Sequence, residues 1–147
     1  MKLKYYIDEV LRDISALGSL PAFAVYIVFA YIFMPSVGTK LLIFTISSMV
    51  VVYLIRFLYF KERPGKRAHS NRLQKLDSSS FPSLHATRTA GIWVILLNAH
   101  NILSMWYIPL AIVILYSRIH LKAHDRNDIL AGIALGLLLA ITILRFV

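Results

Sequence analysis

Two stretches of the chain are apolar enough at first sight to cross a bilayer, and a third has no charge at all. Residues 14–34 (ISALGSLPAFAVYIVFAYIFM) carry no charged side chain over 21 positions, enough to traverse a hydrocarbon core of about 30 Å. Residues 41–60 and 129–147 are nearly as apolar, each with one arginine close to an end. The apolar stretch from Ala86 to Tyr116 is broken by the polar NAHN at 98–101, which divides it into two shorter helices. The pattern predicts an all-α integral membrane helical bundle of about five transmembrane helices, because backbone polar groups must be satisfied inside the bilayer. It forms one domain over 1–147. Residues 1–13 (MKLKYYIDEVLRD) mix charge and bulk in the manner of an interfacial helix leading into the first span. Acids at Asp8, Glu9 and Asp13 argue against a signal peptide there.

Composition agrees with this picture and adds charge to it. Hydrophobic residues make up 59% of the 147, yet the formal net charge is +9, a combination foreign to ordinary soluble domains. There is no cysteine, so disulfides and thiolate metal sites are excluded. The longest non-apolar stretch runs from Lys61 to Pro82, between the second and third spans, and its KERPGKRAHSNRLQK segment holds a single acid among many Lys and Arg. Such a run beside a membrane ordinarily serves lipid headgroups, and nothing in it calls for nucleic acid. Three arginines fall outside that reading: Arg56 in the second span, Arg88 in the third, and Arg118 at the end of the fourth. Charge inside a span tends to face an interior or aqueous site. Snorkelling to the interface is the alternative for each, and is the reading for Arg88, one turn inside its helix.

Candidate chemistry gathers at two places. In FPSLHATRTAG, 81–91, Pro82 at the first helical position would leave the N–H groups of Ser83, Leu84 and His85 pointing out of a helix end, a seat for an anion. The Ser83 hydroxyl and His85 imidazole add two donors, and His85 can deliver a proton to a departing oxygen. A histidine that only caps its helix is the competing reading. In SRIHLKAHDRNDIL, 117–130, His124 and Asp128 stand four residues apart, on one face of a helix. A carboxylate on one ring nitrogen leaves the other as a nucleophile suited to phosphorus, with guanidinium groups holding the phosphoryl oxygens. A lone His/Asp pair is otherwise a structural hydrogen bond.

Taken together the segments resemble the type 2 phosphatidic acid phosphatase superfamily. Its motifs are a Lys followed after six residues by Arg-Pro, a Pro-Ser-Gly-His block, and Ser-Arg followed after five residues by His and after three more by Asp. Here they stand as RFLYFKERP (Arg56 to Pro64), PSLH (Pro82 to His85) and SRIHLKAHDRND (Ser117 to Asp128), in order and with spacing kept. The resemblance implies that His124 is the nucleophile, Asp128 its orienting carboxylate and His85 the acid for the leaving group. It implies that Arg56, Arg63, Arg118, Ser83 and the amides around Leu84 bind phosphate. Arg56 replaces the family's lysine, exchanging a point charge for a forked donor. Leu84 replaces its glycine, with the prospect of crowding the seat. No metal or other cofactor is implied, since the arginines supply the positive charge. His69, His100 and His120 match no motif position.

The implied activity is metal-independent hydrolysis of a membrane lipid phosphate or polyprenyl diphosphate through a phosphohistidine. Phosphatidylglycerol phosphate and phosphatidic acid are alternative substrates. A soluble haloperoxidase is excluded by the spans. A non-catalytic lipid-phosphate binding protein and a small anion transporter are the rival classes. With five spans, fourteen of the sixteen Lys and Arg lie on the side of the site and two, Lys40 and Arg145, lie opposite. Setting aside Arg56, Arg63 and Arg118, the split is eleven to two, which predicts an active site on the cytoplasmic face of the cell membrane.

Overall fold

The computed structural model describes residues 2–65, 71–100 and 102–147. Among them are seven helices and no strand: α1 (Lys2–Ala16), α2 (Leu20–Phe33), α3 (Pro35–Leu58), α4 (Arg72–Ser78), α5 (Leu84–Asn98), α6 (Leu103–His120) and α7 (Arg126–Phe146). The five expected crossings correspond to α2, α3, α5, α6 and α7, with different lengths. Among the described residues, α3, α6 and α7 are each long and apolar enough to span, and α1 with α2, bent by 46° at residues 17–19, would make a fourth. Helix α5 has 15 residues, about 22 Å of rise, and is the short, buried central helix of the bundle. The second span begins six residues earlier than expected, because Pro35 suits the first helical position and Gly38 lets α3 fold directly back onto α2. A Cβ at Gly38 would lie 2.7 Å from the Tyr31 Cα.

Apolar side chains such as Val25, Val28, Phe29 and Ile32 on α2, Leu54 on α3, Ile112 on α6 and Leu138 on α7 face outward. They form the lipid-facing surface of an integral membrane bundle. Inside, α5 is the central element and packs most extensively on α7. The reason lies in the Gly132-x-x-x-Gly136 spacing of α7. A Cβ at Gly132 would come 2.5 Å from the Ser83 carbonyl oxygen, and one at Gly136 would overlap the Thr87 carbonyl. Small residues at this spacing let two membrane helices approach backbone to backbone. On its other side α5 meets α3, where the fully buried Phe44 ring occupies the space a side chain at position 91 would need. The basic loop is described only in part: 66–70, including His69, lie outside the described residues, and the short α4 follows them.

Candidate active site

The close α5–α7 seam sets the first half of the site. Ser83 is the N-cap of α5, its Oγ accepting from the Ala86 N–H, while its own N–H donates to the Asp128 carbonyl at 3.0 Å. Pro82 therefore precedes the cap instead of occupying the first helical position, and the expected seat loses the Ser83 amide to α7. The amides of Leu84 and His85, in the first helical turn, have no intrahelical acceptor. Leu84 is the first helical residue, and the positive φ angles among the described residues belong to His100 and Lys122. No glycine conformation is required at 84, and the leucine side chain is buried. His85 lies against the α1–α2 turn, where a Cβ at Gly18 would meet its ring at 2.9 Å.

The second half comes from the α6–α7 connection. Asp125 caps α7 by accepting from the Asp128 N–H, and the Asp128 carboxylate accepts in return from the Asp125 N–H at 2.9 Å. This reciprocal cap satisfies two donors of the helix start and places two carboxylates at the positive end of its dipole. His124, 2% exposed, precedes it. Its Nδ1 lies 2.8 Å from the Ser80 carbonyl oxygen and 3.8 Å from Asp128 Oδ2. The expected direct carboxylate bond is thus replaced by a backbone carbonyl, with Asp128 acting through space one step behind. An Nδ1–H donated to Ser80 fixes the tautomer and leaves the lone pair on Nε2. Burial, the first cause, together with the charges of Arg118 and Arg63, holds the imidazole pKa below its ordinary value against the pull of Asp128 and Ser80. His124 is therefore neutral at neutral pH.

Lys61 was not singled out by its sequence context. It bonds Asp128 Oδ1 at 2.8 Å and also pairs with Asp125. Burial works against its charge, but the bonds to the two carboxylates prevail and keep its pKa above the usual lysine value. In return the Lys61 hydrogen bond holds the Asp125 carboxyl below its usual range. Ser80 was equally silent, since its carbonyl does the work. Its amide donates to the Lys61 carbonyl at 2.8 Å, locking 80 beside 61.

The structure brings Arg56, Arg63 and Arg118 to this end of the bundle, each tied to a neighbouring segment by a hydrogen bond. Arg56 donates to the Pro82 carbonyl (3.1 Å), Arg63 to the Asp77 carbonyl (2.7 Å) and Arg118 to Ser15 Oγ (2.7 Å). An anchored nitrogen orients the planar guanidinium fork. His85, His124, Arg63 and Arg118 lie within electrostatic reach of one another. Arg88 corrects an expectation: it does not snorkel but is 3% exposed, its guanidinium 5.5 Å from the Phe23 ring centroid. Inside the bundle its charge lies over the face of that ring, a cation–π contact. His120, without an assigned role, bonds Asp8 of α1 at 2.8 Å. Among the described residues no group of three His, Cys, Asp or Glu is arranged to hold a metal ion.

A membrane-embedded helical bundle with its three motif segments drawn to one end is the class of protein these features define. The chain belongs to the PAP2 superfamily, whose family model matches residues 37–147. Two solved structures share its fold. Aquifex aeolicus LpxE aligns with a TM-score of 0.80 at 20% identity, covering 95% of this chain and 86% of that one. The PAP2-type phosphatidylglycerolphosphate phosphatase from Bacillus subtilis aligns with a TM-score of 0.73 at 23% identity, covering 96% of this chain and 76% of that one. No curated protein matches the sequence.

Proposed function

We propose that the protein is a membrane lipid phosphatase in which His124 is the covalent nucleophile. The observation that carries this reading is the bond from His124 Nδ1 to the Ser80 carbonyl, which leaves a neutral imidazole with its free lone pair on Nε2 beside Arg63 and Arg118. Nε2 attacks phosphorus, the bond from phosphorus to the lipid oxygen breaks, and His85 gives that oxygen a proton. In the free protein burial, with the charges of Arg118, His124, Arg88 and Arg63, pushes the His85 pKa down to about 2, so the proton it gives is one taken up together with the phosphate dianion, whose charge offsets those cations. Water then attacks the phosphohistidine, returning its proton to His85 and releasing inorganic phosphate. Arg56, Arg63 and Arg118, with Ser83 and the amides of Leu84 and His85, bind the phosphoryl oxygens through both states. Asp128, clamped by Lys61 and the α7 cap, stabilises positive charge developing on His124 without taking its proton. The substrate is a lipid whose phosphate stands at the end of the bundle. The Bacillus subtilis neighbour, named for phosphatidylglycerolphosphate, supports that class.

The experiment is phosphate release by purified protein from polyprenyl diphosphate, phosphatidic acid and phosphatidylglycerol phosphate vesicles, with a chelator present. Release from at least one, lost in His124→Ala, is the expected result. Binding without release would return the protein to the class of non-catalytic lipid-phosphate binders, and phosphate uptake by sealed vesicles to that of transporters. The active site faces the cytoplasm on the charge asymmetry of the chain. Since the chain has no cysteine, single Gln74→Cys and Ala99→Cys variants at exposed positions test this in intact cells. An impermeant thiol reagent should label Ala99→Cys, and labelling of Gln74→Cys alone would reverse the orientation.

A further inference from the structure

Among the described residues one buried cation, Arg88, has no part in the catalytic scheme. It sits in the second turn of α5 and is 3% exposed, while Arg56, in the last turn of α3, is 2% exposed. Each guanidinium lies over an aromatic ring, Arg88 at 5.5 Å from the Phe23 centroid and Arg56 at 5.8 Å from that of Tyr53. The two are within electrostatic reach of each other, and Arg88 is within reach of His85. Among the described residues neither pairs with an acid, and the buried Nε of each has no hydrogen-bond partner.

Such a pair is costly to bury. A cation–π contact offsets only part of the loss of hydration, and two like charges in one interior repel. Buried charges are ordinarily paired, so two adjoining guanidiniums without an acid form a place for an anion. Position says which anion. Side chains of a helix lean toward its N-terminus, so one at 88 lies over the turn that holds Leu84 and His85. Three residues of helical rise, about 4.5 Å, separate positions 85 and 88, a span that an arginine side chain covers. The amides of Leu84 and His85 open at the end of that same turn. Arg56 arrives there from α3, donating to the Pro82 carbonyl two residues before Leu84. Arg63 and Arg118 are tied elsewhere, to the Asp77 carbonyl and to Ser15 of α1.

We propose that Arg88 is a substrate-binding residue, which with Arg56 holds the phosphoryl group from the interior of the bundle and reads its second negative charge. Neither Arg88 nor its partner ring at Phe23 belongs to the three motif segments. A phosphodiester headgroup carries one charge at phosphorus and leaves one guanidinium of the pair unmatched. A terminal phosphoryl dianion matches both. Arg88 thus separates the substrate from the diester lipids that surround the protein. The inference rests on the phosphatase reading and adds a specificity-determining residue to it.

The test uses purified protein in detergent, with methyl phosphate and dimethyl phosphate as the dianionic and monoanionic probes. Thermal unfolding at increasing probe concentration gives the affinity of wild type, Arg88→Met and Phe23→Leu. Replacing an unpaired buried charge by an apolar side chain of similar length does not destabilise, so Arg88→Met should melt no lower than wild type without ligand. Its affinity for methyl phosphate should fall by about tenfold or more, the loss of a charge-assisted hydrogen bond, with little change for dimethyl phosphate. On the lipid phosphates that the wild type turns over, the loss should appear mainly as a raised KM, because the contact is made before and during transfer. Phe23→Leu removes the ring and keeps the guanidinium, and should lower the melting temperature while methyl phosphate still binds. Arg88→Met that fails to fold or melts below wild type without ligand would overturn the proposal and make Arg88 a packing partner of Phe23. Unchanged methyl phosphate affinity, equal losses for the two probes, or the same loss in Phe23→Leu would also overturn it. Wild type that binds methyl phosphate through Arg88 yet releases phosphate from no lipid would refute the phosphatase reading alone.

Discussion

The two halves of the bundle, traversed by the same helices, have opposite interiors. Where α5 and α7 begin and α3 and α6 end, the buried residues are Arg56, Ser80, Ser83, Thr87, His124 and Asp128, tied by backbone and side-chain hydrogen bonds. Toward the other end the core is Ala30, Leu41, Phe44, Ile95, Ala140 and Ile143, beside an apolar cavity of about 450 Å³ lined by Tyr26, Phe29, Leu96, Trp106 and others. In the first half a lost partner strands a buried polar group. In the second, a lost methyl leaves only a void. Lipid offers no hydrophobic gain for helix association, so the apolar half is held by packing and the polar half by geometry. Substitutions should therefore act on turnover in one half and on stability in the other.

The largest effect is expected at His124. His124→Ala should lower kcat by at least about 10²-fold with the helical circular-dichroism spectrum retained, since loss of a nucleophile costs no less than loss of a general acid or base. Gly132→Leu comes next. A side chain at 132 would press on the Ser83 carbonyl and the Ala86 Cβ, separating the two motif segments across the seam. Overpacking costs about 1–3 kcal/mol, and a displacement of about 1 Å at the site lowers turnover by about 10²-fold. Thermal unfolding in detergent and phosphate release measure the two parts.

The seam shows which parts of the architecture were legible in the sequence. The spans, the polar break at 98–101 and the three motif segments could be read because apolar periodicity and spacing are written in side-chain identity. The replacement of Asp128 by the Ser80 carbonyl at His124 could not, because any residue offers a carbonyl. The Pro82 register was missed because Ser83 is itself an N-cap former and outcompeted proline for the start of α5. Arg88 was misread because span hydropathy does not show which helix is central. Asn101 and the loop 66–70 lie outside the described residues.

Lys61 gives a smaller and more selective effect. Lys61→Met leaves the fully buried Asp128 carboxylate without its cation, and a drop in kcat of about tenfold is expected from loss of one charge-assisted bond. Lys61→Arg should restore part of that loss, and equal loss in both variants would assign Lys61 a packing role only. The pH profile follows from His124. Its folded pKa lies below 6.5, so the free enzyme keeps its neutral nucleophile as pH falls past 6.5, and the acid limb of kcat/KM should lie lower than for an ordinary histidine. Over the same range the unfolded chain takes up a proton that the folded one refuses, so stability declines as pH falls below 6.5. The smallest effect belongs to the apolar half. Ile95→Val should cost about 0.5–1.5 kcal/mol of stability, read from thermal unfolding, with kcat unaltered.

The central claim is that phosphate passes through His124, and covalent trapping tests it most directly. The protein is mixed with a lipid substrate labelled in its terminal phosphate and quenched in alkali, where phosphohistidine survives and can be mapped by peptide mass. The account predicts label on the peptide containing His124, discharged by acid, absent from His124→Ala and still formed in Lys61→Arg. Turnover without any labelled peptide, or label on His85 in the wild-type protein, would contradict it.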